Sequence, residues 1–370
     1  MAACTMNITK KVKLVLLWLA RSLGLFWLAR RLTRHGIVII GWHAVSMTDE
    51  HQRFPGLFIA PETLRRRLRY LKKHFEIVSL DEAMAQYERG AIRPGQAVLT
   101  FDDGYYNFAH QAAPILREFE MTATVYLLSS HMVNQDPFHA PLIKDMVSLV
   151  PPTDICGDEH EQHLPGIQTP RALQTEADRK ALTAAAQRHL STLPMEQRTA
   201  YTQQLAEALG LDFEALSRQQ VWRSLNCDEV RRLAEDGFNM QLHGHHHLNV
   251  VDFADRALDD VATCRELVEA ASGRAAQHFC YPSGFWNREA WQTLQAAGIR
   301  SAATTRQGPN FITTPPLALR RVLDGEEQSQ LEFEFCVSSL RWLIHTLFHP
   351  DRRHSPSEKL ARYHEDGVLF

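Results

Sequence analysis

Two adjacent carboxylates, Asp102 and Asp103, follow directly on the apolar run AVLTF at residues 97–101. A histidine-dense pentad, His243-Gly244-His245-His246-His247, follows the short run NMQL at residues 239–242. Both runs read as buried strands, and strand carboxyl ends are where α/β folds collect reactive groups. Asp-Gly is also a common turn, so Asp103-Gly104 alone decides little. The histidines carry more weight. Neutral imidazoles ligate zinc and its first-row neighbours. Asp103 with His243 and His247 supplies two nitrogens and one oxygen, which leaves a position open for water, as a hydrolytic site requires. A spacing of four brings His243 and His247 to one side of a single turn and points His245 and His246 elsewhere. The chain holds 19 histidines in 370 residues, which also directs attention to metal or acid–base chemistry.

Such groups need rigid elements behind them. Residues 36–42 (GIVIIGW), 97–101, 122–128 (TATVYLL), 239–242, 278–281 and 301–304 read as strands. Residues 61–75, 81–89, 108–119, 228–236, 254–272 and 288–297 read as helices, the second capped by Ser79 or Asp81. The alternation is that of an α/β fold with parallel strands. It breaks between 135 and 220. Residues 134–166 are rich in Pro, Asp, His and Gly and read as loop, and 169–209 read as two helices split at Pro194. Residues 135–220 are therefore a helical insertion between the α/β parts 36–134 and 221–325, and 326–370 is a helical tail containing 340–348. The acidic stretch 154–163 reads as a solvated loop rather than a second metal site.

The motifs resemble those of the polysaccharide deacetylases, carbohydrate esterase family 4. Thr100-Phe101-Asp102-Asp103-Gly104-Tyr105 is similar to the first motif. His243-Gly-His-His-His247 is similar to the second, H-[ST]-x-x-H, with glycine in place of the hydroxyl residue. Phe279-Cys280-Tyr281-Pro282-Ser283-Gly284 resembles the third, R-x-P-[YF]-G, and Trp42-His43 resembles a Tyr-His pair on the first strand. The resemblance implies a distorted (β/α) barrel and metal-dependent removal of acetyl groups from an N-acetylated sugar in a polysaccharide, glycan or lipid-linked saccharide. It implies Asp102 as general base and Asp103, His243 and His247 as ligands of a divalent ion, with zinc expected. The physics agrees. A divalent ion acidifies its bound water, a neighbouring carboxylate takes the proton, and oxyanion charge falls on the ion and on a backbone N–H, that of Tyr105.

Some positions depart from the pattern. The third motif lacks its arginine, so Arg320 or Arg321 is expected to bring positive charge near Asp102. The family's late L-x-H histidine has no clear counterpart, because Leu343-Ile344-His345 falls in a helical stretch. His43, or else His245 or His246, then remains for protonating the leaving amine. Tyr281, Pro282, Ser283 and Trp286, with Arg321, are the expected substrate contacts. The His243-x-His245 pair also suits amidohydrolase barrels, but there the histidine pair precedes the metal aspartate in the chain. A catalytically idle carbohydrate-binding relative and a hydrolase of a non-sugar amide are the competing readings.

The composition fits a globular enzyme. Lys and Arg number 40 against 43 Asp and Glu, for a net charge of −3, and 45% of residues are apolar, which excludes a bulk nucleic-acid binder and a disordered chain. Six scattered cysteines without a C-x-x-C pair suit a reducing compartment. Residues 1–48 contain seven Lys or Arg and no acid, between apolar runs with Trp18, Phe26 and Trp27. Residues 1–35 are expected to contact a membrane peripherally, at its cytoplasmic face. Packing on the protein body, a spanning segment and a cleaved leader are the alternatives.

Overall fold

The computed structural model describes residues 8–152 and 173–348, which form two compact units. The first comprises residues 8–129 and 227–348, the second 130–152 and 173–226.

The first unit is built on parallel strands. They are β1 (Val38–Trp42), β2 (Ala44–Val45), β3 (Phe58–Ile59), β4 (Glu76–Ile77), β5 (Gln96–Phe101), β6 (Thr124–Leu127), β7 (Asn239–Leu242), β8 (His278–Cys280), β9 (Ser301–Ala303) and β10 (Val322–Leu323). The main sheet runs β10-β1-β5-β6-β7-β8-β9, with β4 beside the start of β5, and β2 pairs with β3 separately. β1, β5 and β6 are buried along their whole length, as parallel strands covered on both faces must be. The ends of the sheet meet through residues 319–321. The Thr304 N–H donates to the Leu319 carbonyl at 2.8 Å, the Leu319 N–H to that of Ala302 at 2.8 Å, and the Arg321 N–H to that of Arg306 at 2.7 Å. The sheet thus curls into the distorted barrel expected from the motifs. Because every pairing in it is parallel, the carboxyl ends of β1, β5, β7 and β8 lie at one end, and that is where His43, Asp102 and His243 emerge.

Several expected helices are observed closely: Pro61–His74, Leu80–Glu88, Cys227–Glu235, Ala254–Ser272 and Glu289–Ala296. Ser79 caps the second, its hydroxyl accepting the Glu82 N–H at 3.1 Å. The helix expected at 108–119 begins instead as a π-turn, Phe108–Ala112, before the α-turns Ala113–Glu118. Pro114 lacks the N–H that would continue the α register there.

The second unit holds helices His139–Leu149, Glu176–Thr192, Met195–Ala208 and Phe213–Arg218. The last two long helices part at Pro194, the N-cap residue of Met195–Ala208. The loop expected at 134–166 is corrected by helix His139–Leu149. Leu142, Ile143, Met146 and Val147 form its buried stripe, and Pro141 stands in its first turn, where no intrahelical N–H is needed. The acidic stretch 154–163 lies outside the described residues.

At the N-terminus, helices α1 (Ile8–Ser22) and α2 (Leu25–Leu32) pack on the tail helices Gln330–Val337 and Leu340–Phe348, respectively. Lys13 pairs with Glu332 at 2.6 Å, Arg21 with Glu334 at 3.2 Å, and the Phe26 and Phe335 rings lie 6.0 Å apart. No single described helix is long and apolar enough to cross a membrane, and α1 and α2 are bent by 68° at their junction. Residues 349–370 of the tail lie outside the described residues.

Candidate active site

Three side chains converge at the barrel's carboxyl end. Asp103 Oδ1 lies 3.2 Å from His243 Nε2 and 4.0 Å from His247 Nε2, and the three donor atoms all lie within 4.8 Å of one another. The backbone aims them. Asp103 has φ 67° and His247 φ 59°, left-handed conformations that cost a non-glycine residue roughly 1–2 kcal/mol each. His243 Nδ1 is 2.8 Å from the Cys280 carbonyl oxygen. A carbonyl only accepts, so Nδ1 donates to it, and Nε2 faces Asp103 Oδ1, donating to it when protonated and offering its lone pair to a cation when not. Burial opposes charge on Asp103, yet the His243 hydrogen bond and the nearby imidazoles hold its carboxyl well below the usual range. This donor set fits a small divalent cation.

The His243–His247 loop is pinned from a helix. Asp260, on the buried face of Ala254–Ser272, accepts the backbone N–H groups of His245 at 2.8 Å and His246 at 3.0 Å, and its Oδ1 is 3.0 Å from His246 Nδ1. Gly244 has φ 94°, and a Cβ there would come within 2.8 Å of Asp260 Oδ2. Glycine at the hydroxyl position of the motif therefore makes room for this carboxylate. His245 Nδ1 meets the Ser129 hydroxyl at 2.8 Å, so His245 and His246 serve the loop rather than the centre. Asp260 was not expected from the sequence. Its signal is an acid on an otherwise apolar stripe, with Ala257, Val261 and Cys264 also buried at helical spacing.

Asp102 is held from the seam of the barrel. Arg321 donates from Nη1 to Oδ1 at 2.7 Å and from Nη2 to Oδ2 at 2.8 Å, and its Nε donates to the Thr304 carbonyl at 3.0 Å. Burial alone would raise the Asp102 carboxyl, but the guanidinium charge and hydrogen bonds keep it below its ordinary value. A Cβ at Gly41 would meet Leu323 Cδ2 at 2.7 Å and Arg321 Nη1 at 3.3 Å, so that glycine lets the pair seat against β1. Arg320 turns away, to the Pro309 carbonyl and over the Trp342 ring. Asp102, His243 and Cys280 form a second cluster of possible ligands. There both Asp102 oxygens already accept from Arg321, and burial pushes the Cys280 thiol up, away from the thiolate a metal needs.

His43, 27% exposed, brings Nε2 to 3.9 Å from Asp102 Oδ2. The Tyr105 ring is buried 6.1 Å from that of Phe58. Most of the expected substrate contacts are buried. Arg321 is 1% exposed beneath Asp102, and Tyr281 is 1% exposed with its hydroxyl donating to the Leu317 carbonyl at 2.8 Å. Pro282 is buried, and Trp286 is buried and stacked on Trp291 at 5.4 Å. These residues fill space around the end of β8, and of the set only Ser283 is exposed. His345 lies on helix Leu340–Phe348 against α2, away from every strand end named above.

The sequence profile described as polysaccharide deacetylase matches residues 90–150 and 216–302. The poly-beta-1,6-N-acetyl-D-glucosamine N-deacetylase of Escherichia coli (strain K12) is 34% identical over 91 residues. That match spans 24% of this chain and only 13% of the relative's length. Among solved structures, a Streptococcus pyogenes deacetylase in complex with acetate superposes with TM-score 0.54 at 15% identity, over 82% of this chain and 99% of that one. A polysaccharide deacetylase from Bacillus cereus gives 0.51 at 15% identity, over 82% of this chain and 69% of that one. At such identities these two likenesses speak for the fold. The matched segments carry Asp102, Asp103, His243 and His247; over them the chain is similar to the polysaccharide deacetylases, and its barrel is the fold the solved deacetylases share.

Proposed function

We propose that this chain is a metal-dependent hydrolase that removes the N-acetyl group from an amino sugar in a polysaccharide, glycan or lipid-linked saccharide. The observation that carries the reading is the convergence of Asp103, His243 and His247 beside a separate, arginine-held carboxylate. A metal ligand and a base are both present, with distinct partners. The donor set favours zinc. A bound divalent ion would polarise the acetyl carbonyl and acidify water.

The chain's own residues divide the remaining work. Asp102, kept ionised by Arg321, takes the water proton on a carboxylate oxygen. His43, the half-buried imidazole beside Asp102, gives a proton to the departing amine. The Tyr105 backbone N–H, two residues beyond Asp103, is the candidate donor to the developing oxyanion. The E. coli relative is named for poly-β-1,6-N-acetyl-D-glucosamine, which makes an N-acetylhexosamine the first substrate to try.

The test is acetate release from N-acetylated hexosamine oligomers, with chelator and after zinc is restored. Chelator-sensitive release supports the reading. Oligomer binding without release would indicate an idle binder, and release only from non-sugar acetamides would indicate a different amide hydrolase.

A further inference from the structure

The N-terminal helices dock by one face and leave another bare. Inward, Leu17, Phe26 and Ala29 are buried, while Lys13 and Arg21 are engaged by Glu332 and Glu334. Outward on α1, Val12, Val15, Leu16 and Leu19 recur at i, i+3, i+4 and i+7 and are all exposed. On α2, Leu25, Leu28 and Leu32 repeat the pattern. Trp18 is 59% exposed and Trp27 62%. On the helix packed against α2, Leu347 and Phe348 are 78% and 74% exposed. Single exposed leucines need no explanation, but apolar stripes on α1 and α2 beside the apolar end of the helix packed on α2 do.

The surrounding charge identifies the occupant. Lys10 and Lys11 are exposed at the start of α1, and Arg31 and Arg34 follow Trp27 at i+4 and i+7, also exposed. Arg30 and Lys73 line the same small depression as Trp27. Tryptophan settles at the headgroup layer, aliphatic side chains enter the acyl boundary, and arginine and lysine meet anionic headgroups. A second copy would set the same arginines against each other, and a soluble polyanion would leave the leucines in water.

We infer that α1, α2 and the end of helix Leu340–Phe348 form a docking surface for an anionic lipid bilayer. This goes beyond the deacetylase reading and does not depend on it. The probe is the full-length chain with phosphatidylcholine vesicles, with and without phosphatidylglycerol. Co-sedimentation is expected with the anionic vesicles, weakened but not abolished by salt, with a blue shift of tryptophan emission. Trp18→Ser with Trp27→Ser should weaken binding on the order of tenfold or more. Arg31→Gln with Arg34→Gln should remove most of the preference for phosphatidylglycerol. Neither pair touches the Asp103 centre, so unchanged zinc retention checks that both variants are folded. Two results would overturn the inference: a full-length chain that ignores both vesicles, or a stable dimer that ignores them and that the tryptophan variant converts to monomer.

Discussion

The two carboxylate oxygens of Asp102 each accept a hydrogen bond from a different nitrogen of Arg321, across 219 residues of chain. The charge missing from the third motif is thus delivered from the strand end that closes the barrel.

That pairing predicts the outcome of removing the arginine. Arg321→Met leaves a buried carboxylate without its counter-charge, a loss of about 3–5 kcal/mol. Asp102 can relieve this only by binding a proton. The depressed carboxyl should then rise, and the acid limb of acetate release should move to higher pH. Arg321→Lys restores charge but not the two-pronged geometry, so it should fall between. Thermal unfolding and a pH–rate profile check this, and a Met variant that matches the parent in both would refute it.

The two neighbouring aspartates should separate by assay. Asp102→Asn is expected to keep bound metal and to lose a factor of roughly 10²–10⁴ in turnover, the range for a lost general base. His243→Ala is expected to lose most metal and nearly all activity. Metal analysis of both purified variants settles the roles, and an Asp102→Asn protein lacking metal would exchange them.

Asp260 touches no proposed ligand atom, yet it orients the loop that carries two of them. Asp260→Asn should weaken zinc binding about 10–100-fold, the usual range for an outer partner of a metal site. Gly244→Ser, which restores the residue type of the family motif, should also weaken it, because φ 94° and the 2.8 Å approach to Asp260 exclude a side chain. Competition with a chromophoric chelator measures both, and tighter binding by Gly244→Ser would contradict the geometry.

The second unit carries a pH liability. Burial depresses His139 from 6.5 to about 3, with its Nδ1 3.0 Å from the Thr202 hydroxyl. The unfolded chain takes up this proton below about pH 6.5 and the folded one does not. Stability is therefore full above that pH and falls as pH drops toward 3, by roughly 1.4 kcal/mol per unit at most. His139→Gln should flatten the decline. Unfolding of parent and variant at pH 7 and pH 5 tests this, and equal slopes would rule it out.

What the sequence made legible follows from how locally each feature is encoded. β7 and helix Ala254–Ser272 have the expected bounds, because apolar period and flanking breakers lie within the segment itself. The Asp103–His243–His247 grouping was readable because both motifs end strands of one parallel sheet. Helix His139–Leu149 was hidden by Pro and His at its start, which mimic loop composition. β10 has only two residues, too few for any period, so its place beside β1, and with it the choice of Arg321 over Arg320, needed the fold. The aromatic residues after β8 looked like a sugar platform because sequence does not distinguish a ring facing a groove from one filling the space behind it.

The seam at residues 319–321 also has a meaning in time. During synthesis every proposed metal ligand has left the ribosome once residue 247 emerges, but Arg321 is made later, and β1 must wait for β10 to pair Ile40 with Val322. Until that long-range closure, Asp102 has no guanidinium to hold its carboxylate in place. A chain short of residue 321 could gather its cation with Asp102 still unclamped, so the onset of hydrolysis would report that the barrel has shut.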